Sequence, residues 1–357
     1  MIYSTLISQG INRTTGRSLT GLFKNTPGFG LPFGADIAVA HSTTPFISTY
    51  PWSSGFGVKY ANPATLPAST GNGVAFSPSG ADIAVAHSTT PFISTYPWSS
   101  GIASGFGTKY ADPATLPTGT GNGVAFSPSG ADIAVASSAS PYILTYPWSS
   151  GFGTKYADPA VPPPGVGQGV AFSSSGADIA VAHTTTPYIS VYPWSSGFGT
   201  RYASPATIPN LTGTSVAFSP SDADIAVASS ASPYILTYPW SSGFGTKYAN
   251  PATLPTGAPQ GVAFSPSGAD IAVAHVTSPY ISVYPWSSGF GIKYADPATI
   301  PTGNGLGVAF SPSGADIAVA SSASPYILTY PWSSGFGTKY ADPTTLPTGS
   351  GNSVAFT

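Results

Sequence analysis

The residues of this chain that could do chemistry recur at one fixed spacing. An aspartate stands in each of seven copies of the string Ala-Asp-Ile-Ala-Val-Ala, and successive copies lie 46 residues apart, with one step of 50. These aspartates are Asp36, Asp82, Asp132, Asp178, Asp224, Asp270 and Asp316. Carboxylates repeated at one position could bind a cation together. Aspartate also caps turns by accepting hydrogen bonds from nearby backbone amides, and we favour this second interpretation.

A tryptophan and a histidine position share this period. The seven tryptophans are Trp52, Trp98, Trp148, Trp194, Trp240, Trp286 and Trp332. A repeated tryptophan can stack on sugar rings, as in lectins, but more often packs between structural units, as we expect here. Four units have a histidine after the motif and three a serine, namely His41, His87, His183, His275, Ser137, Ser229 and Ser321. Histidine can bind metal or sense pH, but its exchange for serine favours a loop position that tolerates both.

The composition leaves few groups from which to build an active site. The chain has no cysteine and only four histidines, and all of its acidic residues are aspartates. A catalytic group needs an asymmetric site with a tuned neighbour, whereas this chain repeats its polar residues. We therefore expect no enzymatic activity, no cofactor and no metal. The net charge of −2 predicts no nucleic-acid partner. Without an 18-residue apolar run we expect no membrane insertion. Residues 1–10 have no basic region and no long apolar core, so we expect no secretory signal.

One unit reads as four short strands joined by turns. Apolar runs at 123–127, 133–136, 142–148 and 152–156 alternate with Pro/Ser/Gly clusters such as Pro128-Ser129-Gly130. Short β-branched and aromatic runs bounded by turn residues are typical of antiparallel strands. Four strands in a unit of this length form the blade of a β-propeller.

The ends of the chain predict a closed ring. The first unit lacks its first strand, and residues 353–357 form a first strand with no unit after it. We therefore predict an all-β, seven-bladed propeller over residues 34–357, with four-stranded blades and blade 1 completed by 353–357. Residues 1–33 form a separate non-repeat arm. The four extra residues of the 50-residue step, Ile102–Gly105, are expected in the loop between the third and fourth strands of blade 2.

Two sequence resemblances accompany this prediction. Over residues 34–357 the string Val-Ala-Phe-Ser-Pro-Ser-Gly and the strands around it resemble WD40 repeats. Pro-Trp, as at Pro147-Trp148, replaces the Trp-Asp pair that names the WD40 family, and its Gly-His pair is missing. The chain is therefore identified as a WD40-like propeller with its own consensus. Its near-identical copies also resemble repeat proteins of tailed bacteriophages, especially aquatic ones.

The phage resemblance implies a structural virion protein on the tail, a fibre or the capsid surface, assembled in the host cytoplasm and then extracellular. The non-repeat arm would dock the ring onto other virion proteins; alternatively, it folds back onto the ring. Its apolar and basic candidates for docking are Ile2, Tyr3, Leu6, Ile7, Arg13, Arg17, Leu22, Phe23 and Lys24. The alternative function is a multivalent carbohydrate-binding propeller that contacts host-surface glycans for host attachment. A scaffold in a cytoplasmic complex is a third possibility.

Overall fold

Seven small antiparallel sheets form the part of the chain that the computed structural model describes, residues 35–101 and 105–357. No helix occurs in these ranges, so none there is long and apolar enough to cross a membrane. The strands in chain order begin with β1 (Ala35–His41), β2 (Ile47–Trp52), β3 (Gly71–Phe76), β4 (Asp82–His87), β5 (Ile93–Ser99), β6 (Gly105–Phe106), β7 (Gly121–Phe126), β8 (Asp132–Ser137), β9 (Ile143–Pro147), β10 (Gly167–Phe172) and β11 (Asp178–His183). They continue with β12 (Ile189–Pro193), β13 (Gly213–Phe218), β14 (Asp224–Ser229), β15 (Ile235–Pro239), β16 (Pro259–Phe264), β17 (Asp270–His275), β18 (Ile281–Pro285), β19 (Gly305–Phe310), β20 (Asp316–Ser321), β21 (Ile327–Pro331) and β22 (Gly351–Phe356).

Each blade has an inner, a middle and an outer strand, in that chain order except in blade 1, where the inner strand is β22. In blade 3 these are β7, β8 and β9, and the same order recurs around the ring. The middle strand is buried on both faces, because each blade packs against a neighbour on either side; Ile133 and Ala134, whose side chains point to opposite faces of β8, are both fully buried. Small and β-branched residues suit a strand of this kind. The hydrophobic core therefore lies between blades, and one cluster joins residues of blade 4, such as Val191, to residues of blade 5, such as Trp240.

The predicted fourth strand is present only as a remnant. In blade 3 it consists of an isolated bridge between Trp148 and Phe152 and two backbone hydrogen bonds, from Gly153 N to Pro147 O (2.9 Å) and from Tyr156 N to Thr145 O (3.0 Å). The register turns the backbone nitrogen of Pro147 away from β8 and toward this remnant. Because proline has no N–H to donate, a regular ladder cannot form there.

Blade 2 contains a short fourth strand, β6, beside the insertion. The loop between β5 and β6 contains the predicted insertion site, and Ser99 pairs with Gly105. The expected position between the third and fourth strands is therefore confirmed, although Gly105 itself belongs to β6. Residues 102–104 lie outside the described ranges.

The C-terminal strand closes the ring as the sequence predicted. β22 pairs with β1 in antiparallel register, with Val354 opposite Val39 and Phe356 opposite Ile37. The inner strands contact one another in a complete circle, in the order β22, β3, β7, β10, β13, β16 and β19. A hydrophobic cluster also joins blade 7 to blade 1, where Ile327 and Trp52 belong to the same core. The all-β, seven-bladed, closed propeller is confirmed.

Candidate functional site

The inner strands surround a cavity of about 180 Å³ on the ring axis. Three successive residues of each inner strand line it, and they form three rings. The amide ring, named for its commonest side chains, consists of Asn72, Asn122, Gln168, Thr214, Gln260, Leu306 and Asn352. The glycine ring consists of Gly73, Gly123, Gly169, Ser215, Gly261, Gly307 and Ser353. The valine ring consists of Val74, Val124, Val170, Val216, Val262, Val308 and Val354. None of these residues is charged, so any site built from them suits a neutral or weakly polar group.

The backbone of the valine ring points its polar atoms at the axis. In blade 3, Ser127 N donates to Asp132 O (2.9 Å), which fixes the alternation of hydrogen-bonded pairs along β7 and β8. Val124 therefore falls in a non-hydrogen-bonded pair with Val135, and its N–H and C=O turn away from β8. The same register recurs in every blade. Since the inner strand has no partner on its other side, each valine N–H faces the axis.

Two of these seven N–H groups have a side-chain acceptor. Ser353 Oγ accepts a hydrogen bond from Val74 N at 3.3 Å, and Ser215 Oγ accepts one from Val262 N at 3.4 Å. In each case the serine belongs to the glycine ring of the preceding blade. The other five N–H groups face a glycine and have no acceptor among the described residues; they belong to Val124, Val170, Val216, Val308 and Val354. The cavity thus contains five backbone donors that must bond water or a ligand.

Glycine predominates in this ring because neighbouring blades approach closely at the axis. A Cβ on Gly73 would lie 3.1 Å from the Cα of Gly123 in the next blade. A Cβ on Gly123 would lie 3.2 Å from Gln168 O and 3.6 Å from Val170 N. A serine fits at this position in blades 1 and 5, where its hydroxyl is positioned to accept the hydrogen bond of the valine N–H.

The repeated aspartates do not line this cavity, and the interpretation of them as turn caps is wrong. Each is buried, and its carboxylate joins two blades. Asp36 Oδ1 accepts a hydrogen bond from Tyr60 (2.8 Å), and its Oδ2 accepts one from Trp98 Nε1 in the next blade (2.9 Å). The turn is capped instead by serine, because Ser77 Oγ accepts a hydrogen bond from Asp82 N at 3.0 Å.

The same Trp–Asp bond occurs at all seven blade junctions. The pairs are Trp98–Asp36, Trp148–Asp82, Trp194–Asp132, Trp240–Asp178, Trp286–Asp224, Trp332–Asp270 and Trp52–Asp316. The tryptophans are 3–6% exposed, so the prediction that they pack between blades is confirmed and they cannot act as sugar-stacking platforms. Burial raises the pKa of Tyr60 to about 12, which keeps its hydroxyl protonated as a donor to Asp36. Within the described part of the chain, no cluster of three or more metal-ligating side chains occurs.

The histidines are strand residues, and the interpretation of a variable loop position is wrong. All four are fully buried at the end of the middle strand, and each ring Nε2 bonds the serine that lies seven residues later. The pairs are His41–Ser48 (3.0 Å), His87–Ser94 (3.1 Å), His183–Ser190 (3.0 Å) and His275–Ser282 (3.0 Å). Where serine replaces the histidine, leucine replaces the partner, as at Ser137 and Leu144. Burial lowers the pKa of each histidine to about 4.

The predicted docking residues of the arm cannot be placed. Ile2, Tyr3, Leu6, Ile7, Arg13, Arg17, Leu22, Phe23 and Lys24 all lie outside the described residues. The division into a 1–33 arm and a 34–357 ring stays a prediction.

The axial cavity was missed at the sequence level. A signal was present, since the second residue of each inner strand changes among Asn, Gln, Thr and Leu while the residues on either side of it are glycine in most blades. In a repeat protein, the residues that are the same in every unit maintain the common fold. A position that differs between units while its neighbours stay the same is therefore not required by that fold.

Comparison with known proteins supports the fold. No protein-family model and no curated protein matches the chain. A putative 6-phosphogluconolactonase from Bacteroides uniformis is similar in structure, with a TM-score of 0.66 at 14% identity, over 90% of this chain and 99% of that one. The Pseudomonas aeruginosa periplasmic gluconolactonase matches with a TM-score of 0.64 at 15% identity, over 90% and 98%. A functionally unknown protein from Desulfotomaculum acetoxidans gives 0.64 at 12%, also over 90% and 98%.

These neighbours contradict part of what the sequence predicted. Two of them are named as lactonases, so the expectation that the chain is not an enzyme is contradicted. They are bacterial proteins, one of them periplasmic, and they provide no phage or WD40 link. The predicted virion protein of tail, fibre or capsid surface, its host-attachment role and its virion location are therefore contradicted as well. The virion assignment rested on the resemblance of the repeats to those of phage proteins, and none of these neighbours supports that resemblance.

Proposed function

We propose that this chain is a sugar-lactone hydrolase whose substrate binds on the ring axis. The observation that carries the proposal is the set of five valine N–H groups that face an uncharged cavity without an acceptor among the described residues. Fixed backbone donors around one point stabilise an oxygen atom that becomes negative during a reaction, and they do so most strongly where water is excluded. The carbonyl oxygen of a lactone becomes negative in this way when its ring is opened.

The reaction needs only water as a second reactant. A water molecule first gives one proton to solvent, and the resulting hydroxide attacks the lactone carbonyl carbon. The π electron pair then moves onto the carbonyl oxygen, where valine N–H groups donate to it. Collapse of this intermediate breaks the bond between the carbonyl carbon and the ring oxygen, and the electron pair stays on the ring oxygen. The ring oxygen takes a proton from solvent and becomes a hydroxyl. The new carboxylic acid then ionises, so one proton is released for each lactone opened.

The chemistry of the cavity favours an unphosphorylated substrate. No lysine or arginine lines it, so a phosphate group would have no cationic partner there. Carbonyl, amide and hydroxyl groups line it instead, and these suit the hydroxyls of a neutral sugar lactone. The volume of about 180 Å³ is below the roughly 300–1,000 Å³ of drug-sized sites, which favours a single ring. The name of the Pseudomonas neighbour, gluconolactonase, is in agreement with this class.

The first test is turnover by the full chain. Acid release from glucono-1,5-lactone, followed by titration at constant pH, should exceed the uncatalysed rate. Because no titratable side chain lines the cavity, kcat should rise about tenfold per pH unit, as expected for attack by hydroxide. A bell-shaped profile would assign the reaction to an acid–base pair elsewhere and contradict the role given to the valine ring.

The second test removes one donor with a substitution that this ring already contains in two other blades. Gly123→Ser places a hydroxyl beside Val170 N, in the way that Ser215 already accepts from Val262 N. Both ring neighbours of Gly123 are glycines, Gly73 and Gly169, so the serine meets no second serine. We expect kcat to fall by at least about tenfold, since loss of one oxyanion donor typically costs more than that.

The matched control for this test is Gly123→Ala. Alanine adds the same Cβ as serine but cannot accept the hydrogen bond of Val170 N. Its kcat should stay well above that of the serine variant. Equal rates in the two variants would show that bulk at this position, and not the N–H group, decides the activity.

A further inference from the structure

The amide ring is not uniform, and its asparagines and glutamines lie in different halves of the propeller. Blades 1, 2 and 3 carry asparagine, and each Nδ2 donates to a backbone carbonyl of the next blade. These bonds join Asn352 to Gly71 O (2.9 Å), Asn72 to Gly121 O (2.9 Å) and Asn122 to Gly167 O (2.8 Å). Each asparagine therefore ties two inner strands together. We call blades 1–3 the clamped half and blades 4–7 the open half.

Two members of the open half are longer amides without a protein partner. Gln168 and Gln260 are half-buried, and neither amide bonds another of the described residues. The carbonyls that correspond to those of the clamped half belong to Gly213 and Gly305, and no side chain donates to them within the same ranges. A half-buried amide that lacks a partner must bond water or a ligand, because leaving it unsatisfied costs free energy.

The extra methylene explains why glutamine does not act as a clamp. Asn122 has the length that reaches the carbonyl of Gly167 in the next blade. A glutamine at the same backbone position extends further, so the amides of Gln168 and Gln260 are available to the cavity that both residues line.

The other two positions of the open half differ from each other. Thr214 donates its hydroxyl to Pro259 O at 2.8 Å and is thereby occupied. Leu306 has no polar atom and lies in the amide ring next to Gln260, one blade further on. The open half thus combines two available amides with one apolar side chain. A sugar ring likewise has polar and apolar parts, with hydroxyls at its edge and C–H groups on its face.

From this asymmetry we infer that Gln168 and Gln260 determine specificity by binding the hydroxyl groups of the ligand, while Leu306 packs on its apolar face. The inference rests on the proposed function for the choice of a sugar lactone. The ligand lies against the open half, where Val170, Val216 and Val308 supply the N–H groups. The asparagines of the clamped half have a structural role and do not contact the ligand.

The test uses Gln168→Asn and Gln260→Asn in the full chain. The shorter amide should clamp the next blade, as Asn122 does, so the fold is retained while the contact with the ligand is lost. The probes are glucono-1,5-lactone and δ-valerolactone, which has the same ring without hydroxyls. For glucono-1,5-lactone we expect KM to rise about tenfold in each variant, the effect of one lost hydrogen bond. For δ-valerolactone KM should not change. Equal changes for both lactones, or none for either, would overturn the inference.

Asn122→Gln is the matched control in the clamped half. It breaks one clamp, so it should lower the midpoint of thermal unfolding but leave KM for glucono-1,5-lactone unchanged. A rise in KM as large as that of the Gln168 variant would show that the two halves do not differ in ligand binding, and the inference would fall.

Equilibrium binding of glucono-1,5-lactam, a neutral six-membered ring that resists hydrolysis, separates this inference from the proposed function. Calorimetric titration of the wild-type chain and both glutamine variants requires no turnover. If the wild type opens no lactone but binds the lactam, and each variant weakens binding about tenfold, the specificity role stands and the hydrolase proposal fails. If the wild type opens lactones and neither variant weakens lactam binding or raises KM, the hydrolase stands and the inference fails. If the wild type neither opens lactones nor binds the lactam, both fail.

Discussion

Mild acid should destabilise this propeller, because four histidines are buried in the neutral form. Burial lowers the pKa of His41, His87, His183 and His275 to about 4, whereas an exposed histidine of the unfolded chain titrates near 6.5. Between these values the unfolded chain binds more protons than the folded one. The free energy of unfolding therefore falls as the pH falls from about 6.5 toward 4.

The expected effect is large compared with the stability of a domain. Lowering the pH from 7 to 5 should cost about 2 kcal/mol for each histidine with these pKa values, or about 8 kcal/mol for all four. Whole domains are stabilised by only about 5–15 kcal/mol. Burial of the rings sets the size of the effect, since charging a fully buried imidazole is strongly opposed by desolvation.

The chain contains its own control for this prediction. His87→Ser combined with Ser94→Leu copies the Ser137–Leu144 pair of blade 3 into blade 2. Urea unfolding, followed by tryptophan fluorescence at pH 7, 6 and 5, should show that the double variant loses about a quarter of the pH dependence. If the wild type is equally stable at pH 7 and 5, or if the double variant keeps the full pH dependence, the buried neutral histidines are not responsible.

Two further predictions concern the blade junctions. Deleting residues 352–357 removes most of β22 and exposes the core between blades 7 and 1, so the calorimetric melting temperature should fall markedly; an unchanged melt would argue against closure by β22. Asp222 accepts hydrogen bonds from the backbone nitrogens of Ser174 (2.5 Å) and Ser175 (2.7 Å). In most other blades, glycine occupies the position of Asp222 and proline occupies the position of Ser174. Asp222→Gly loses these hydrogen bonds but relieves the positive φ of 56° at Asp222, so it should cost less than about 1 kcal/mol in urea unfolding, and adding Ser174→Pro should recover most of it; equal stability of the single and double variants would contradict this coupling.

The fold could be predicted from the sequence because its determinants are local and repeated. Turn residues bound each strand, and the unpaired first strand at 353–357 identifies its partner by the missing strand of blade 1. The prediction was wrong only in giving every blade a full fourth strand. There the proline of the Tyr-Pro-Trp string, such as Pro147, removes the donor that a full ladder needs.

The roles of individual polar residues were harder to predict because their partners are distant in sequence. Asp178 accepts from Trp240, which is 62 residues away and in the next blade. A single unit offers only local partners, so it suggested a turn cap. His183 and Ser190 are only seven residues apart, but the role of their hydrogen bond follows from its burial, and this burial depends on the packing of both neighbouring blades.

Leu306 offers a direct test of whether the asymmetry of the axis serves function. Asparagine at this position should donate to Gly351 O, the carbonyl that corresponds to Gly167 O, which Asn122 clamps. Leu306→Asn should therefore stabilise the ring by about 1 kcal/mol, the usual net value of one hydrogen bond. It should also raise KM for glucono-1,5-lactone, because the apolar contact with the ligand is lost. Thermal melts and lactone kinetics on the same preparation measure both effects. A higher melting temperature together with a higher KM would show that this leucine is retained at a cost in stability, as expected of a binding residue. A higher melting temperature with unchanged KM would instead show that this leucine has no role in binding and that the ligand has no apolar contact on this side.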